Sequence, residues 1–302
     1  MAGWGGKLEA GARRADDCDV TFDEKIFVGT SAAAAAVIGH CLWRWDVVRP
    51  GSFRGKNARD VSGVPAVVWL LGALLVFLGQ VVGLMLASQM PASVIGGAGT
   101  TQHAAMTSVF GHLAGVLVGA GMIWMLREHV SERAGLRCGW GDLGRGAVAI
   151  VIVAPIYICA AYVASEIAHF VQGAAPDKLA HEGLKEIMGH RESVWAWVMM
   201  GTAVVGAPIV EEIMYRVLLQ SCLLRALGRT WPAIFVSSGL FAAVHLGTVP
   251  AHAVVPLFML GVALGIAYER TRSPLVPITM HALFNAGNLV VAMLAGAGET
   301  HA

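Results

Sequence analysis

The chain has 302 residues, of which 56% are hydrophobic and 14% are charged, and its mean hydropathy is +0.66. This composition excludes an ordinary soluble globular domain and predicts a membrane protein. A net charge of +1 gives no electrostatic basis for binding nucleic acid, and five scattered cysteines without a C-x-x-C pair predict neither a disulfide framework nor a zinc knuckle.

A polar segment precedes about eight hydrophobic ones. Residues 1–25 contain four aspartates, so we interpret them as a polar tail that leads into a retained helix rather than a cleaved signal. A helix needs about 20 mostly apolar residues to cross the hydrocarbon core. The segments that approach this length lie at about 26–43, 64–87, 106–126, 146–170, 194–224, 231–248, 251–269 and 274–295. The sequence therefore predicts an all-α polytopic membrane protein with about eight transmembrane helices.

The polar groups in the chain suggest three regions. These are the polar tail at 1–25, accessory transmembrane helices and loops at 26–190, and a core at 191–296 whose hydrophobic segments contain ionisable residues. Within the polar connection 172–193 we predict a short interfacial helix.

The basic residues indicate how the helices are oriented. With eight spans, the connections 44–63, 127–145, 225–230 and 270–273 share one side of the membrane and carry 13 Lys and Arg, against seven on the other side, four of them in the tail. The 13 are Arg44, Arg49, Arg54, Lys56, Arg59, Arg127, Arg133, Arg137, Arg145, Arg225, Arg229, Arg270 and Arg272. Because cytoplasmic loops are enriched in Lys and Arg, we place this side in the cytoplasm and both termini outside.

Polar side chains interrupt three of the late hydrophobic segments. A charge inside a bilayer is costly, so such groups usually face a partner or a water-filled cavity. Within each segment two notable residues are four positions apart and share one helical face. The pairs are Glu212/Arg216, Phe241/His245 and His281/Asn285.

The adjacent glutamates have different neighbours on a helix. Glu212 precedes Arg216 by four residues, the favourable order for an intrahelical ion pair. Glu211 points about 100° away, on the side of Tyr215. Its expected partners are histidines on neighbouring helices.

These residue types are compatible with two hydrolytic chemistries. A carboxylate and an imidazole can together deprotonate water, while a second imidazole and an amide stabilise an oxyanion. Alternatively, Glu211, His245 and His281 could bind Zn²⁺ and leave one position open for water. The sequence leaves both chemistries open, so the cofactor is either zinc or none.

Three motifs in order carry a family resemblance. "EEIMYR", "FAAVH" and "HALFN" resemble the E-E-x-x-x-R, F-x-x-x-H and H-x-x-x-N/D motifs of the CPBP family of intramembrane CAAX-type proteases and bacteriocin-processing enzymes. The match covers about residues 194–288.

The resemblance implies a role for each motif position. Glu211 would activate water with His245 as its partner. His281 and Asn285 would stabilise the oxyanion. Glu212 and Arg216 would order the site, and the resemblance leaves the use of a metal open.

Other intramembrane protease chemistries do not fit the residues. "HEGLKEIMGH" has Lys185 where the zinc motif H-E-x-x-H requires its second histidine. The aspartates at 46, 60, 142 and 177 lie in predicted loops, which excludes an aspartyl site. "VSSG" at 236–239 lacks the first glycine of a rhomboid-like G-x-S-G.

The predicted function is therefore that of a multi-pass membrane endopeptidase in the cell membrane, acting on a peptide or a membrane protein. Two other classes remain open: a non-catalytic membrane scaffold or immunity protein, and an ion- or proton-coupled transporter. The sequence does not indicate whether the substrate is prenylated.

Overall fold

The computed structural model describes residues 22–55, 58–172 and 192–299, and this part of the chain is helical without a β-strand. The helices are α1 (Phe22–Arg44), α2 (Ala66–Ser88), α3 (Ala92–Ile95), α4 (Thr101–Leu126), α5 (Gly141–Gln172), α6 (Val194–Leu227), α7 (Thr230–Ala243), α8 (Ala251–Thr271) and α9 (Leu275–Glu299), with a 3₁₀ turn at Glu132–Ala134. Most of the predicted tail and of the interfacial segment lies outside the described residues.

Seven of the described helices are long and apolar enough to cross a membrane. The predicted all-α polytopic architecture with about eight membrane helices is confirmed. The helix in the sixth predicted span, α7, is shorter than the span, because it ends at Ala243 and has 14 residues. A helix of this length rises about 21 Å, which is less than the hydrocarbon thickness of about 30 Å.

Local sequence signals set the helix ends. The side chain of Thr100 caps α4 by accepting a hydrogen bond from the backbone N–H of His103, and Ser193 caps α6 in the same way through Trp195. Gly228 ends α6 in the left-handed conformation, with φ +64°, which a residue without a Cβ adopts at little cost.

A stripe of glycines on α4 brings this helix into close contact with α2 and α6. Gly111, Gly115 and Gly119 are spaced by four residues and buried. A Cβ at Gly115 would lie 3.0 Å from the side chain of Val210, and one at Gly119 would lie 2.9 Å from that of Ile213. Small residues let membrane helices approach backbone to backbone, so this stripe fixes α6 against α4 at the level of Glu211 and Glu212.

Two clusters of buried apolar side chains hold the helices together. The first lies between α2, α4, α6 and α7, and the second joins α8 and α9 to α5. Their buried members include Trp69, Val76, Val217, Leu218 and Ala233 in the first, and Leu260, Leu264, Val276 and Met280 in the second. Tyr268 of α8 belongs to the first cluster, so α8 connects the two.

We expect Gly83→Ala to destabilise the contact between α2 and α4. The new Cβ would lie 2.6 Å from the carbonyl oxygen of Phe110 and 2.7 Å from Cβ of Ala114, so the helix backbones must separate. Overpacking of this kind costs about 1–3 kcal/mol. The matched control is Gly121→Ala on α4, where no atom lies within 4 Å. Thermal unfolding in detergent should show a lower midpoint for Gly83→Ala alone, and equal midpoints would contradict the packing described.

Candidate active site

The three motifs meet at one cavity of about 400 Å³, which is lined by residues of all six helices from α4 to α9. Glu211, His245, His281 and Asn285 all line it. The remaining wall is mainly apolar and includes Met199, Val204, Leu257, Phe284 and Leu289. The four residues predicted to be catalytic therefore line one common cavity.

The helix that carries the glutamates changes register twice. Within α6, π-helical segments at Thr202–Gly206 and Ile213–Leu219 flank the α-helical segment Ala207–Glu212. Such π-bulges are rare and occur frequently at functional sites. They rotate the part of the helix that carries the glutamates relative to its two ends.

The first π segment provides the acceptor that holds Asn285. The N–H of Ala207 bonds to the carbonyl of Thr202, five residues back, and Pro208 has no N–H to donate. The carbonyl of Ala203 is therefore available, and it accepts a hydrogen bond of 2.8 Å from Nδ2 of Asn285. This bond fixes the amide at the cavity wall and leaves its second hydrogen for a ligand.

Behind the cavity, the predicted ion pair is present and completely buried. Nε of Arg216 lies 3.1 Å from Oε2 of Glu212, and both side chains are 0% exposed. Nη2 of Arg216 also donates to the carbonyl of Gly261 on α8. The pair therefore joins two helices as well as neutralising both charges.

His281 lies between the two glutamates, an arrangement that the sequence did not predict. Its Nδ1 is 2.9 Å from Oε1 of Glu212, and its Nε2 is 3.9 Å from Oε2 of Glu211. Because a carboxylate accepts hydrogen bonds, Nδ1 carries a hydrogen. Nε2 can then act as an acceptor in the neutral ring or as a donor in the imidazolium.

The orientation of His245 is fixed by its own helix. Its Nδ1 is 2.8 Å from the carbonyl oxygen of Phe241, one turn earlier. A carbonyl can only accept, so the hydrogen of the neutral ring is on Nδ1 and Nε2 keeps its lone pair. This is the tautomer that a general base requires.

Phe241 connects the ion pair to both histidines. It is fully buried, its ring centroid lies 4.5 Å below the guanidinium of Arg216, and it contacts Tyr215 edge-on at 5.4 Å. The rings of His245 and His281 lie 5.0 and 5.7 Å from it. The phenylalanine of F-x-x-x-H thus packs the site from behind.

The cavity also includes residues that the sequence analysis missed. His112 and Ser108 on α4, Tyr157 on α5 and Asn288 on α9 line its wall. His112 packs against Gly206, where an added Cβ would lie 3.2 Å from Cβ of the histidine. A histidine inside a hydrophobic segment was the available signal, but no motif singled it out.

The described residues do not support the predicted metal site. No group of three or more His, Cys, Asp and Glu has a spacing that could hold a metal ion in the part of the chain that the structure describes. The 3.9 Å between Nε2 of His281 and Oε2 of Glu211 is an ionic distance. Nδ1 of each histidine has a hydrogen-bond partner and Nε2 faces the cavity side, an arrangement that suits hydrogen-bonded acids and bases and that metal-binding histidines also share.

A comparison with protein families matches this region. The family model described as "Type II CAAX prenyl endopeptidase Rce1-like" covers residues 193–287, which contain all three motifs. The predicted resemblance is confirmed over this segment, and the family indicates an intramembrane endopeptidase of the CAAX type. No curated protein and no solved structure gives a significant match.

We expect Arg216→Ala to damage folding. The substitution leaves Glu212 as an uncompensated charge in a fully buried position, which costs about 3–5 kcal/mol. Arg225→Ala removes an exposed arginine near the end of the same helix and is the matched control. The yield of monodisperse protein in detergent and its thermal stability should fall for Arg216→Ala only. A stable Arg216→Ala protein would refute the structural role of the pair.

Proposed function

We propose that this protein, which carries an Rce1-like type II CAAX prenyl endopeptidase segment at residues 193–287, is an intramembrane endopeptidase that activates water with Glu211 and His245. The observation that carries the proposal is the convergence of two histidines, a carboxylate and an amide at one cavity among membrane helices. Polar groups of this kind are costly in a membrane, so their convergence favours a catalytic use.

The first step would be attack by water on the peptide carbonyl. The carboxylate of Glu211 accepts a proton from the water, and the lone pair on Nε2 of His245 accepts a hydrogen bond from its other hydrogen. The oxygen that keeps the electron pair then bonds to the carbonyl carbon, and the carbonyl oxygen becomes an oxyanion. Oε2 of Glu211 is buried without a hydrogen-bond partner, so it is available for this proton.

Two donors would stabilise the oxyanion. Asn285 has one amide hydrogen beyond the bond to Ala203. His281 donates through Nε2 when both ring nitrogens carry hydrogens, while Glu212 accepts from its Nδ1. Once Glu211 has taken the proton of water, the oxyanion itself is the negative charge that faces this ring. Donors fixed before the reaction contribute most in a site of low dielectric.

The second step would break the C–N bond. Glu211 returns its proton to the amide nitrogen as the tetrahedral intermediate collapses, and the amine leaves while the carbonyl re-forms. Glu211 and His245 return to their starting protonation states. The new carboxylic acid then loses its proton to water. Hydrolysis therefore needs water and peptide alone.

We expect Glu211→Gln and His245→Ala each to abolish cleavage while the protein still inserts and accumulates normally. The first variant keeps the shape of the side chain and removes the base, and the second removes the hydrogen-bonding partner. Glu166→Gln, at an exposed position of α5, is the control and should retain full activity. Purified proteins incubated with a peptide library would be compared by mass spectrometry of the products. Cleavage by either variant would refute the assignment, and ion flux in vesicles without cleavage would favour a transporter instead.

We expect Asn285→Ala to lower kcat by about 10²–10³, the range for one lost oxyanion donor, with a much smaller change in KM. Asn288→Ala is the matched control, since it removes an amide from the same cavity wall one turn later. It should change kcat by less than about tenfold. Steady-state kinetics on a cleaved library peptide would measure both, and equal effects would argue against a specific role for Asn285.

We expect activity to survive treatment with a chelator. The imidazole Nδ1 atoms bond to Phe241 and Glu212, and the proposed proton transfers use the side chains themselves. Metal analysis of the purified protein and cleavage assays before and after chelation would be compared. Loss of activity that added Zn²⁺ restores would replace this mechanism with the zinc chemistry.

A further inference from the structure

Most residues that line the cavity lie toward one end of the helices that carry them. On α6 its lining residues run from Met199 to Glu211, in the first half of Val194–Leu227. On α8 they are Ala253 and Leu257, close to the start of the helix. On α4 they lie before the middle, and on α7 they lie at the end. On α9 the lining runs from His281 to Leu289 and so begins six residues after the start of that helix. No lining residue belongs to the connections 44–63, 127–145, 225–230 and 270–273, which we call the basic face.

The contacts of Phe53 place the start of α7 and the end of α8 at the basic face, and so allow the distance of His245 from that face to be estimated. Phe53 contacts Trp231 at the start of α7, with ring centroids 5.3 Å apart, and lies 4.3 Å from the guanidinium of Arg270 at the end of α8. Ala243, where α7 ends, is 12 residues beyond Trp231, a rise of about 18 Å. His245 follows two residues later, so it lies beyond half of a hydrocarbon core of about 30 Å when measured from the basic face.

The basic face is closed by a buried polar network. Arg59, from the connection between α1 and α2, forms an ion pair of 2.9 Å with Glu269 on α8, and both side chains are 0% exposed. Nη1 of Arg59 also donates to Ser221 and to the carbonyl of Ala134. Gln220 donates to the same carboxylate at 2.8 Å.

A second arginine secures the same connection. Arg270 donates to the carbonyls of Asp46, Val47 and Ser52 and covers Phe53. Asp46, Val47, Ser52 and Arg59 are therefore tied to the end of α8 by residues more than 200 positions away in sequence. These contacts pack the basic end of the helices, and no residue of the basic face lines the cavity.

Irregular backbone beside His245 indicates water at the other side. The residues 244–250 follow a helix too short to span the membrane and contain no further helix. Non-helical backbone at membrane depth is tolerated where it lines a water-filled cavity or is buried in protein, and His245 and Val249 both line this cavity.

We infer that the cavity opens to the extracytoplasmic side of the membrane and receives a peptide segment presented there. Thirteen of the 21 Lys and Arg belong to the basic face, which the positive-inside rule places in the cytoplasm. The described connections on the other side, 89–100 and 244–250, contain none. The mainly apolar wall selects apolar residues around the scissile bond. A substrate arriving from the cytoplasm would meet the closed end. That the bound peptide is a substrate rests on the proposed function. The side of the membrane to which the cavity opens does not depend on it.

Thiol labelling in intact cells tests the side of the opening. Three proteins with one cysteine each would be compared. The first keeps native Cys138, which is exposed at the basic face, as its single cysteine. In the other two, all native cysteines are replaced and either Ala98→Cys or Ala253→Cys is introduced. Ala98 lies in the connection before α4, and Ala253 lines the cavity. A membrane-impermeant maleimide should label the Ala98→Cys and Ala253→Cys proteins and leave Cys138 unlabelled until the cells are lysed.

Two labelling results would overturn the inference. The first is labelling of Cys138 from outside without Ala98→Cys, which reverses the orientation. The second is an Ala253→Cys protein that reacts with a permeant maleimide and is not protected by prior treatment with the impermeant reagent, which closes the cavity to the outside.

Reporter cleavage tests the substrate side. A membrane-anchored reporter library would display apolar peptide segments either outside the cell or in the cytoplasm, and each would be expressed with the wild-type protein or with Glu211→Gln. We expect Glu211-dependent cleavage of external segments only, and cleavage confined to cytoplasmic segments would overturn the inference. If no cleavage on either side depends on Glu211, the proposed peptidase activity and its peptide substrate are both contradicted. The labelling experiment would still show to which side the cavity opens.

Discussion

The structure depends on a charge that has no access to water. Glu212 is completely buried, and a carboxylate in such a place must be paired and hydrogen-bonded or its desolvation would outweigh the packing around it. Arg216 balances it along the helix, and His281 contacts it from α9. Each partner can reach Glu212 in few positions, so one buried carboxylate fixes the relative placement of α6, α8 and α9. The site in front of it is ordered as a consequence.

The same face of α6 continues this pattern for two more turns. Arg216 donates to the carbonyl of Gly261, and Gln220, one turn later, donates to the carbonyl of Gly265. The two glycines are four residues apart on α8, and a Cβ at Gly265 would lie 2.8 Å from the side chain of Gln220. Polar side chains of α6 therefore pack directly on the backbone of α8. These hydrogen bonds of Arg216 and Gln220 extend from the ion pair behind the cavity to Glu269, to which Gln220 also donates.

Much of the fold could be predicted because hydropathy reflects a strong physical constraint. Seven apolar segments recur as long helices, and the pair Glu212/Arg216 follows from helical spacing alone. The end of α7 could not be predicted, since residues 244–249 remain fairly apolar although the helix stops at Ala243. The contact of His281 with Glu212 joins residues 69 positions apart, so it depends on packing between helices that spacing does not encode.

The π segments set a further limit on what sequence spacing can predict. The pairing of Asn285 with the carbonyl of Ala203 requires the register of Thr202–Gly206, which an ideal helix would not have. Pro208 is the local cause, since it cannot donate the bond that would close a regular turn. Similarly, His112 enters the cavity from α4 because the glycines of that helix admit α6 closely. Both features depend on backbone geometry more than on the identity of the side chains in the three motifs.

The ion pair between Arg59 and Glu269 has a consequence for biosynthesis. The two residues are 210 positions apart, so a chain made from its N terminus carries Arg59 long before Glu269 has left the ribosome. Until then the arginine remains hydrated at the membrane surface, and the bundle stays open at that end. Closure of this end therefore waits for α8, and the candidate site waits further for α9, which carries His281 and Asn285.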